Sequence, residues 1–439
     1  MPTDNGPPRG TRDLLPDAVA KREAVIAELA ASYARFGFRR IETPALEDIS
    51  RLSWGEGGDN EKLIYRILRR GLDPVVAEGA ELSDLTDLGL RYDLTVPLTR
   101  FYANNAGKLA SPFRAMQIGS VWRAERPQKG RYRQFTQCDI DTIGEPTVLA
   151  ECELLEATLA ALQAIGIAPV RLRVNDRRLL AAIVVEAGVP HDSIGSFLVT
   201  LDKLDKIGWD GVKVELTERG YGEEVGERCE WVVGVLTPDD SPAVVLDRAA
   251  DLLPGVPEAV LEDLRATFEA LEQMARDTGS TESAPGSEGG ARRGAGTSWS
   301  LDPTIVRGMG YYSGQIFEFG HPDAPSSIAG GGRYDGLVGR SLGRDVPACG
   351  VSIGFDRVVD MASFERPDLG VAVVYSGLPI ADVLAVARRL RSSGSDRAAA
   401  LVARRGQLKL QLDALKQEGY SSFILAEVNS VSEERPLRD

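Results

Sequence analysis

Hydrophobic positions near the N-terminus recur with the spacing of one helix face. Val25, Leu29 and Tyr33 follow one another at four-residue intervals, and Gly37 then interrupts the pattern. This spacing predicts an amphipathic helix over residues 17–36, and a second helix is predicted over 147–165 from leucines on one face. Strand-like patterns, in contrast, occupy residues 38–44, 89–94, 112–122, 133–144 and 170–174.

The middle and the C-terminal part of the chain have different patterns. Residues 178–275 are mostly helical in pattern and separate two strand-rich regions, which predicts an inserted helical domain. Residues 276–300 are rich in Gly, Ser, Thr and Ala, a composition typical of a mobile linker. Strand patterns return over 304–319 and 348–355. A small α/β domain is then predicted from alternating strands (371–375, 399–402, 422–425) and helices (380–390, 407–417).

The composition is that of a soluble enzyme of two or three domains. The chain has 439 residues, 43% of them hydrophobic and 26% charged, and it contains neither a membrane-spanning apolar run nor a secretory signal. We therefore expect a cytoplasmic protein that does not bind membranes. A net charge of −14 argues against a protein that coats nucleic acid nonspecifically. Four cysteines and two histidines show no metal-ligand spacing, so no zinc site is expected.

A basic segment over residues 114–133 stands out in this acidic chain. It holds six basic residues and one acid, Glu125, with aromatic residues between the charges. The pattern predicts two strands joined by a turn, with Arg123 and Glu125 on one face of the first strand. Arg131, Arg133 and Phe135 would share a face of the returning strand. Such a hairpin could hold a polyphosphate and stack a base, although a solvated basic loop is the simpler alternative.

Three further segments combine glycines with arginines or tyrosines. They are IVRGMGYYSGQIFEF at 305–319, IAGGGRYDGL at 328–337 and ACGVSIGFDR at 348–357. Each could by itself be a tight packing turn. Because the chain has neither a Walker motif nor a dinucleotide-binding GxGxxG motif, a nucleotide site built from arginines remains.

Taken together, these segments resemble the histidyl-tRNA synthetases. PRGTRDLLP at 8–16 resembles the opening of that family, and GFRRIETPALED at 37–48, residues 121–141 and GVSIGFDR at 350–357 resemble class II motifs 1, 2 and 3. IVRGMGYY and AGGGRYDGL resemble two signatures of the histidine enzymes. The resemblance implies an α+β fold, with an antiparallel sheet flanked by helices, and a homodimer. The expected organisation is a catalytic core over 1–177 and 301–365, a helical insertion over 178–275, a linker over 276–300 and an anticodon-binding-like α/β domain over 369–439.

The resemblance also implies roles for individual residues. Arg123 and Arg307 are the expected catalytic residues, beside the α-phosphate. The expected ATP-binding residues are Arg123, Glu125, Arg131, Phe135 and Arg357. The expected histidine-binding residues are Asp93, Thr95, Arg123, Gln137, Asp141, Arg307, Tyr311 and Tyr312. Arg126 and Gln128 are weaker candidates for the tRNA acceptor end. Structural alternatives remain: Tyr311 could belong to the core, Thr95 to a strand, and Glu125 could pair with a neighbouring arginine.

The implied reaction is ATP-dependent activation of histidine followed by transfer to tRNA(His). ATP would be a substrate accompanied by Mg²⁺, with no metal site assigned, no zinc and no organic cofactor. Three departures are visible: Gly310 replaces the family's usual acid, the 276–300 segment is long, and the C-terminal region ends soon after RPLRD. The alternatives are a non-catalytic paralogue, such as the regulatory subunit of ATP phosphoribosyltransferase, and an amino-acid sensor module. Arg123, Arg307 and the 369–439 region favour the enzyme.

Overall fold

The computed structural model describes residues 5–53, 60–72, 79–127, 131–277, 292–294, 296–306, 311–364, 368–392, 398–428 and 430–437. The chain divides into two compact units. The first comprises Met1–Asp13 and Ala24–Ser363, and the second comprises Leu14–Glu23 and Phe364–Asp439.

The helices and strands of the described residues are numbered in chain order. The α-helices are α1 (Pro16–Arg35), α2 (Ile49–Leu52), α3 (Leu82–Leu85), α4 (Thr95–Asn105), α5 (Leu149–Ala164), α6 (Arg177–Glu186), α7 (Ile194–Leu201), α8 (Leu204–Glu218), α9 (Glu223–Val235), α10 (Pro242–Leu252), α11 (Glu258–Asp277), α12 (Asp335–Leu342), α13 (Phe355–Met361), α14 (Ile380–Ser392) and α15 (Leu408–Glu418). Short 3₁₀ turns are formed by Asn60–Leu63, Ala106–Lys108 and His191–Ser193. The strands are β1 (Arg39–Arg40), β2 (Leu46–Asp48), β3 (Tyr65–Leu68), β4 (Thr86–Leu90), β5 (Phe113–Trp122), β6 (Gln134–Ile143), β7 (Val170–Asp176), β8 (Arg292–Gly294), β9 (Thr297–Leu301), β10 (Gln315–Gly320), β11 (Ala329–Arg333), β12 (Ala348–Gly354), β13 (Val371–Ser376), β14 (Ala399–Ala403), β15 (Ser422–Glu427), β16 (Ser430–Val431) and β17 (Arg435–Pro436).

A large sheet forms the centre of the first unit. Its strand order over the described residues is β1-β5-β6-β12-β11-β10-β7-β9-β8. The pairs β1–β5 and β7–β9 are parallel, and the remaining pairs are antiparallel. The sheet and its flanking helices confirm the α+β fold with an antiparallel sheet that the sequence predicted. A small sheet of order β2-β4-β3 lies in the same unit.

The alternation of β6 explains how the main sheet serves both a core and a cavity. Cys138 and Ile140 are fully buried and belong to the largest apolar cluster of the unit, together with residues of α5, α6 and α11. Gln137, Asp139 and Asp141 have the other parity, so their side chains lie on the opposite face of the strand. One strand therefore contributes apolar residues to the core and polar residues to the other side.

The triple glycine in AGGGRYDGL lies inside a central strand. Gly330, Gly331 and Gly332 belong to β11, between β10 and β12. A Cβ atom on Gly331 would overlap the carbonyl oxygen of Gly350 on β12. Gly331 is therefore needed for the close approach of two strands, whereas the alternative considered from the sequence was a tight packing turn.

The structure corrects several predicted bounds. The strand predicted over 38–44 is limited to Arg39–Arg40, and the one predicted over 89–94 ends at Leu90. In the predicted linker, residues 276 and 277 belong to α11, while Thr297–Leu301 forms β9 beside β7. The predicted linker is therefore too wide at both ends, because composition does not reveal pairing with a distant strand. Residues 278–291 and 295 lie outside the described residues.

The second unit contains the predicted alternation of strands and helices. β13 pairs in parallel with β14 and with β15, and short β16 and β17 pair antiparallel with β15. Val373, Val386 and Ala426 form an apolar cluster on this sheet. In the described part of the whole chain, no helix has the length and apolar character needed to cross a bilayer.

Candidate active site

A cavity of about 680 Å³ opens beside the main sheet of the first unit. Its walls include residues of β6, β11 and β12, the turn after β5 and the start of α4. The predicted site residues that line it are Asp93, Thr95, Arg123, Glu125, Arg131, Phe135, Gln137, Asp141, Tyr311, Tyr312 and Arg357. Arg126 is exposed and is not part of this lining. Arg307, Gln128 and Gly310 lie outside the described residues.

Arg123 follows the last residue of β5 and is fixed from two sides. Its backbone N–H donates to the carbonyl of Arg133 at 2.8 Å, which continues the β5–β6 pairing. Its Nε donates to the carbonyl of Tyr92 at 3.0 Å, and its guanidinium lies 5.1 Å from the centre of the Phe135 ring. An arginine beside an aromatic ring suits a phosphate next to a stacked base.

The returning strand begins later than predicted. β6 starts at Gln134, so Arg131 and Arg133 precede the strand and only Phe135 belongs to it. The Nε of Arg133 donates to the carbonyl of Glu125 at 3.0 Å, which holds the two sides of the turn together. The sequence did not reveal where β6 begins, because the alternating pattern of residues 131–135 extends beyond the last residue pair that joins β5 to β6.

Glu125 and Arg131 face each other at the open end of the cavity. Their nearest charged atoms are 3.9 Å apart, and the side chains are 37% and 49% exposed. An exposed pair at this distance is worth about 1 kcal/mol or less. The pairing alternative for Glu125 is thus present in the structure, but it is weak enough for both groups to turn toward a ligand.

Asp93 lies at the start of α4 and is 2% exposed. One carboxylate oxygen accepts from the backbone N–H of Val96 at 3.1 Å, while the other has no partner among the described residues. Burial raises the pKa of Asp93 to about 6, against the lowering effect of the Val96 N–H and of Arg123. Burial raises the pKa of the nearby Tyr311 hydroxyl well above its ordinary value, while the Thr95 side chain lowers it.

Asp141 is held in the floor of the same region. The hydroxyl of Tyr334 donates to its Oδ1 at 2.5 Å, and its Oδ2 has no partner in the described structure. Burial raises the pKa of Asp141 to about 7. A side chain at Gly350, the β12 neighbour of Asp141, would collide with this carboxylate. Gly350, which lies in a segment that could by itself have been a packing turn, therefore leaves room for the buried carboxylate of Asp141.

Three tyrosines surround this end of the cavity. The ring centres of Tyr311 and Tyr312 are 4.9 Å apart, and those of Tyr311 and Tyr334 are 6.0 Å apart. Tyr311 and Tyr312 are half-buried, and both line the cavity while packing against an apolar cluster that includes Leu337. Tyr311 therefore packs against the core and lines the pocket at the same time, as both alternatives for it suggested.

Arg357 lies in the first turn of α13 and lines the cavity. Its Nη1 donates to the carbonyl of Ser327 at 2.5 Å. Next to it, Asp356 accepts from Arg12 at 2.6 Å and from the backbone N–H of Thr136 at 2.7 Å. Arg12 also lies 4.2 Å from the ring centre of Tyr132. The opening PRGTR segment is thus tied to motif 3 and to the hairpin.

Several cavity residues were missed by sequence reasoning. They are Tyr132, Asp139, Asp202, Lys206, Tyr334, Ser352 and Asp356. For Tyr334, Ser352 and Asp356 a signal existed, since all three lie inside the glycine-rich segments that were singled out. Asp202 and Lys206 come from the helical segment, where no motif marked them.

Comparison with known proteins identifies the family. The family model described as histidyl-tRNA synthetase matches residues 10–358. The chain belongs to the histidyl-tRNA synthetase family. A histidine–tRNA ligase from Leifsonia xyli subsp. xyli is 43% identical, with 97% of this chain and 96% of the relative covered.

Solved structures agree with this fold. The histidyl-tRNA synthetase from Nostoc sp. PCC 7120 is 25% identical, with a TM-score of 0.73 over 97% of this chain and 92% of its own. A Bacillus halodurans protein described as an ATP phosphoribosyltransferase regulatory subunit/histidyl-tRNA synthetase has a TM-score of 0.75 at 19% identity, covering 98% of this chain and 100% of its own. That second similarity concerns the fold alone. The 43% identity to a histidine–tRNA ligase supports the catalytic member of the family over the regulatory paralogue.

Proposed function

We propose that this chain is a histidine–tRNA ligase, which activates histidine with ATP and then transfers it to the 3′ end of tRNA(His). The observation that carries the proposal is a single cavity with two chemically distinct ends. One end has Arg123 beside the Phe135 ring, and the other has the buried carboxylates Asp93 and Asp141. In a histidyl-tRNA synthetase, these ends fit ATP and histidine respectively.

At the ATP end, Phe135 would stack on the adenine and Glu125 would accept from its amino group. Arg123 would hold the α-phosphate, and Arg131 and Arg357 the outer phosphates, because a guanidinium donates to two oxygens in one plane. The short distance between Arg123 and Phe135 supports a phosphate directly beside the base. ATP is expected to arrive with Mg²⁺, which commonly takes ligands from substrate phosphates.

At the histidine end, Asp93, Thr95 and Gln137 would receive the amino group. Asp141 would accept from an imidazole N–H, with Tyr311 and Tyr312 enclosing the ring. A buried acceptor of this kind disfavours apolar isosteres of histidine, since they would leave the carboxylate unpaired.

The reaction needs positioning and charge stabilisation. The histidine carboxylate attacks the α-phosphorus and pyrophosphate leaves; a terminal ribose hydroxyl of the tRNA then attacks the carbonyl of the adenylate and AMP leaves. Arg123 would stabilise the charge that develops on the α-phosphoryl oxygens, and Arg307 is proposed to act with it. No side chain of the protein needs to become a nucleophile in this scheme.

Contacts with the two ends of the tRNA, a homodimer and a cytoplasmic location are also part of the proposal. Arg126, which is exposed next to the cavity residue Glu125, would contact the tRNA acceptor end, and Gln128 is proposed to act with it. The second unit would bind the anticodon. A homodimer and a cytoplasmic location follow from the proposed function rather than from any contact in the chain.

Histidine-dependent exchange of pyrophosphate into ATP tests the proposal. We expect exchange with histidine and not with other amino acids, and a loss of about 10²-fold or more in kcat for Arg123→Ala, by analogy with a lost oxyanion donor. Arg114→Ala is the matched control, because Arg114 lies near the other end of β5 and pairs with Glu153 at 2.7 Å outside the cavity. Absence of exchange in folded wild-type protein with Mg²⁺ would refute the enzyme.

A further inference from the structure

Asp139 is a buried carboxylate of the cavity wall that the proposed scheme for ATP and histidine does not use. It lies on β6 between Gln137 and Asp141, on the same face as both, and it lines the cavity. Its side chain is deeply buried, with the residue 3% exposed. A carboxylate in such a position needs partners, since burial of an unpaired charge is costly.

The neighbouring strands provide Asp139 with only part of what it needs. Gln117 on β5 is its register partner, but the amide of Gln117 is engaged with Thr43 at 3.1 Å and with the carbonyl of Leu94 at 2.9 Å. Ser352, its partner on β12, lies close enough to lower the pKa of the Asp139 carboxyl and accepts from Gln137 at 2.7 Å. The Oδ1 atom of Asp139 is buried without a partner among the described residues.

The electrostatic surroundings of Asp139 are negative. Burial, then Asp141 and Asp93, raise the pKa of Asp139 well above its ordinary value, while Ser352 and Arg123 lower it. A group in this position is stabilised by a cation that enters the cavity. The wall therefore favours a positively charged ligand over a neutral one.

The unpaired oxygens of this wall match the donors of histidine in number. Within the described residues, cavity-lining oxygens that are buried without partners belong to Asp93, Gln137, Asp139 and Asp141. An α-ammonium group has three N–H donors, and a neutral imidazole has one. With Asp141 assigned to the imidazole, the oxygens of Asp93, Gln137 and Asp139 remain for the ammonium hydrogens, in addition to the hydroxyl of Thr95, which is not among the oxygens without a partner.

We propose that Asp139 is a substrate-binding residue whose free oxygen accepts a hydrogen bond from the α-ammonium group of histidine, beside Asp93 and Gln137. The assignment of the ammonium to this wall rests on the proposed function. Asp139 then determines specificity for a charged amino group, while Asp141 determines specificity for the imidazole. Ser352 is a positioning residue that links Gln137 to Asp139.

The test compares wild type with Asp139→Asn, which keeps the size of the side chain and removes its charge. Loss of a hydrogen bond to a charged group costs about 1.5–3 kcal/mol. The affinity for histidine is therefore expected to fall, and the KM for histidine to rise, by about 10- to 100-fold. The KM for ATP stays near the wild-type value. Calorimetry measures histidine binding, and pyrophosphate exchange measures the two KM values.

A second ligand separates contact from structure. 3-(Imidazol-4-yl)propanoate lacks the amino group, and its inhibition constant is expected to be the same for wild type and Asp139→Asn. Asp302→Asn is the matched control, because Asp302 is also a buried carboxylate, 5% exposed, but pairs with Arg173 at 2.6 Å and does not line the cavity. It should leave the KM for histidine unchanged. Should Asp139→Asn not fold, Asp139→Ser provides a smaller uncharged replacement for the same comparison.

The outcomes are distinct. Unchanged histidine affinity in a folded Asp139 variant overturns the proposal, and so does an equal loss for histidine and for the analogue without an amino group. Failure of wild type to exchange pyrophosphate would refute the proposed function, while the calorimetric comparison would still decide the role of Asp139.

Discussion

Within the residues that the structure describes, Asp93 and Asp141 each have one carboxylate oxygen that accepts a hydrogen bond and one that has no partner. Their partners, the Val96 N–H and the Tyr334 hydroxyl, orient each group but do not neutralise it. Burial raises the pKa values of these acids to about 6 and about 7, respectively. Near neutral pH the anionic form of each acid is therefore destabilised until a cationic substrate supplies the missing hydrogen-bond donors.

A dependence of stability on pH follows from Asp141. Its pKa is raised in the folded protein, so the folded state keeps a proton between about pH 4, where an unfolded aspartate ionises, and about pH 7. The unfolded state binds fewer protons over this window, so the free energy of unfolding falls as pH rises through it. We expect Asp141→Asn to reduce this fall and to increase Tm at pH 8 by a few degrees. Calorimetry of wild type and variant at pH 5.5 and pH 8 measures how steeply the free energy of unfolding falls with pH in each protein. Identical slopes would contradict the assignment to Asp141.

Strand β11 has no room for a side chain at Gly331. It is central in the sheet, with β10 on one side and β12 on the other, and a side chain at Gly331 would overlap the backbone of β12. Strand β12 in turn contributes Gly350 and Ser352 to the cavity. Close packing of these two strands therefore sets the position of residues that line the cavity.

This packing predicts different effects for two nearby glycines. Gly331→Ala is expected to destabilise the protein by about 1–3 kcal/mol or more, because the added methyl group forces β11 and β12 apart. Gly336→Ala is the control: it lies in α12 with open space around the Cβ position, so alanine there is neutral or stabilising by up to about 1 kcal/mol. Thermal unfolding of both variants is the measurement. Equal melting temperatures for the two would show that the strands can separate at no cost.

The whole molecule combines two units with different charge and different proposed tasks. The cavity and its carboxylates belong to the first unit, whereas the second is a small parallel α/β unit with basic side chains on its helices and loops. Arg404 is paired with Glu427, while Arg405 and Lys409 are exposed. In the part of the second unit that the structure describes, no acidic side chain pairs with these two residues, and exposed basic residues of this kind are suited to contacts with phosphate groups.

The proposed tRNA-binding role of the second unit is tested by the double change Arg405→Ala and Lys409→Ala. We expect KM for tRNA in aminoacylation to increase severalfold and to depend less steeply on salt, because phosphate contacts supply much of nucleic-acid affinity. Histidine-dependent pyrophosphate exchange, which needs no tRNA, should be unchanged and serves as the internal control. An unaltered KM for tRNA over a range of salt concentrations would exclude these side chains from binding.

Local patterns in the sequence determined much of the architecture and part of the site. Helix α1, the alternating elements from Val371 onward and the β5–β6 hairpin follow from periodicity and turn residues, which act over a few positions. Arg123, Phe135 and Arg357 could be named because they lie in short motifs. The family resemblance added Asp93 and Asp141, whose chemistry is not visible in local spacing.

Tertiary structure alone decided the rest, because it depends on contacts between distant segments. Arg12 meets Asp356 across 344 positions of the chain, and Tyr334 meets Asp141 across 193. Ser352 reaches Asp139 only because β12 inserts beside β6 in the sheet. A strand pattern states which residues share a face but not which strand lies alongside, so neither burial nor an unpaired oxygen can be read from it. The sequence thus determined the types of elements and several of the polar residues, while strand pairing determined which of those residues are buried together and what charge they can accept.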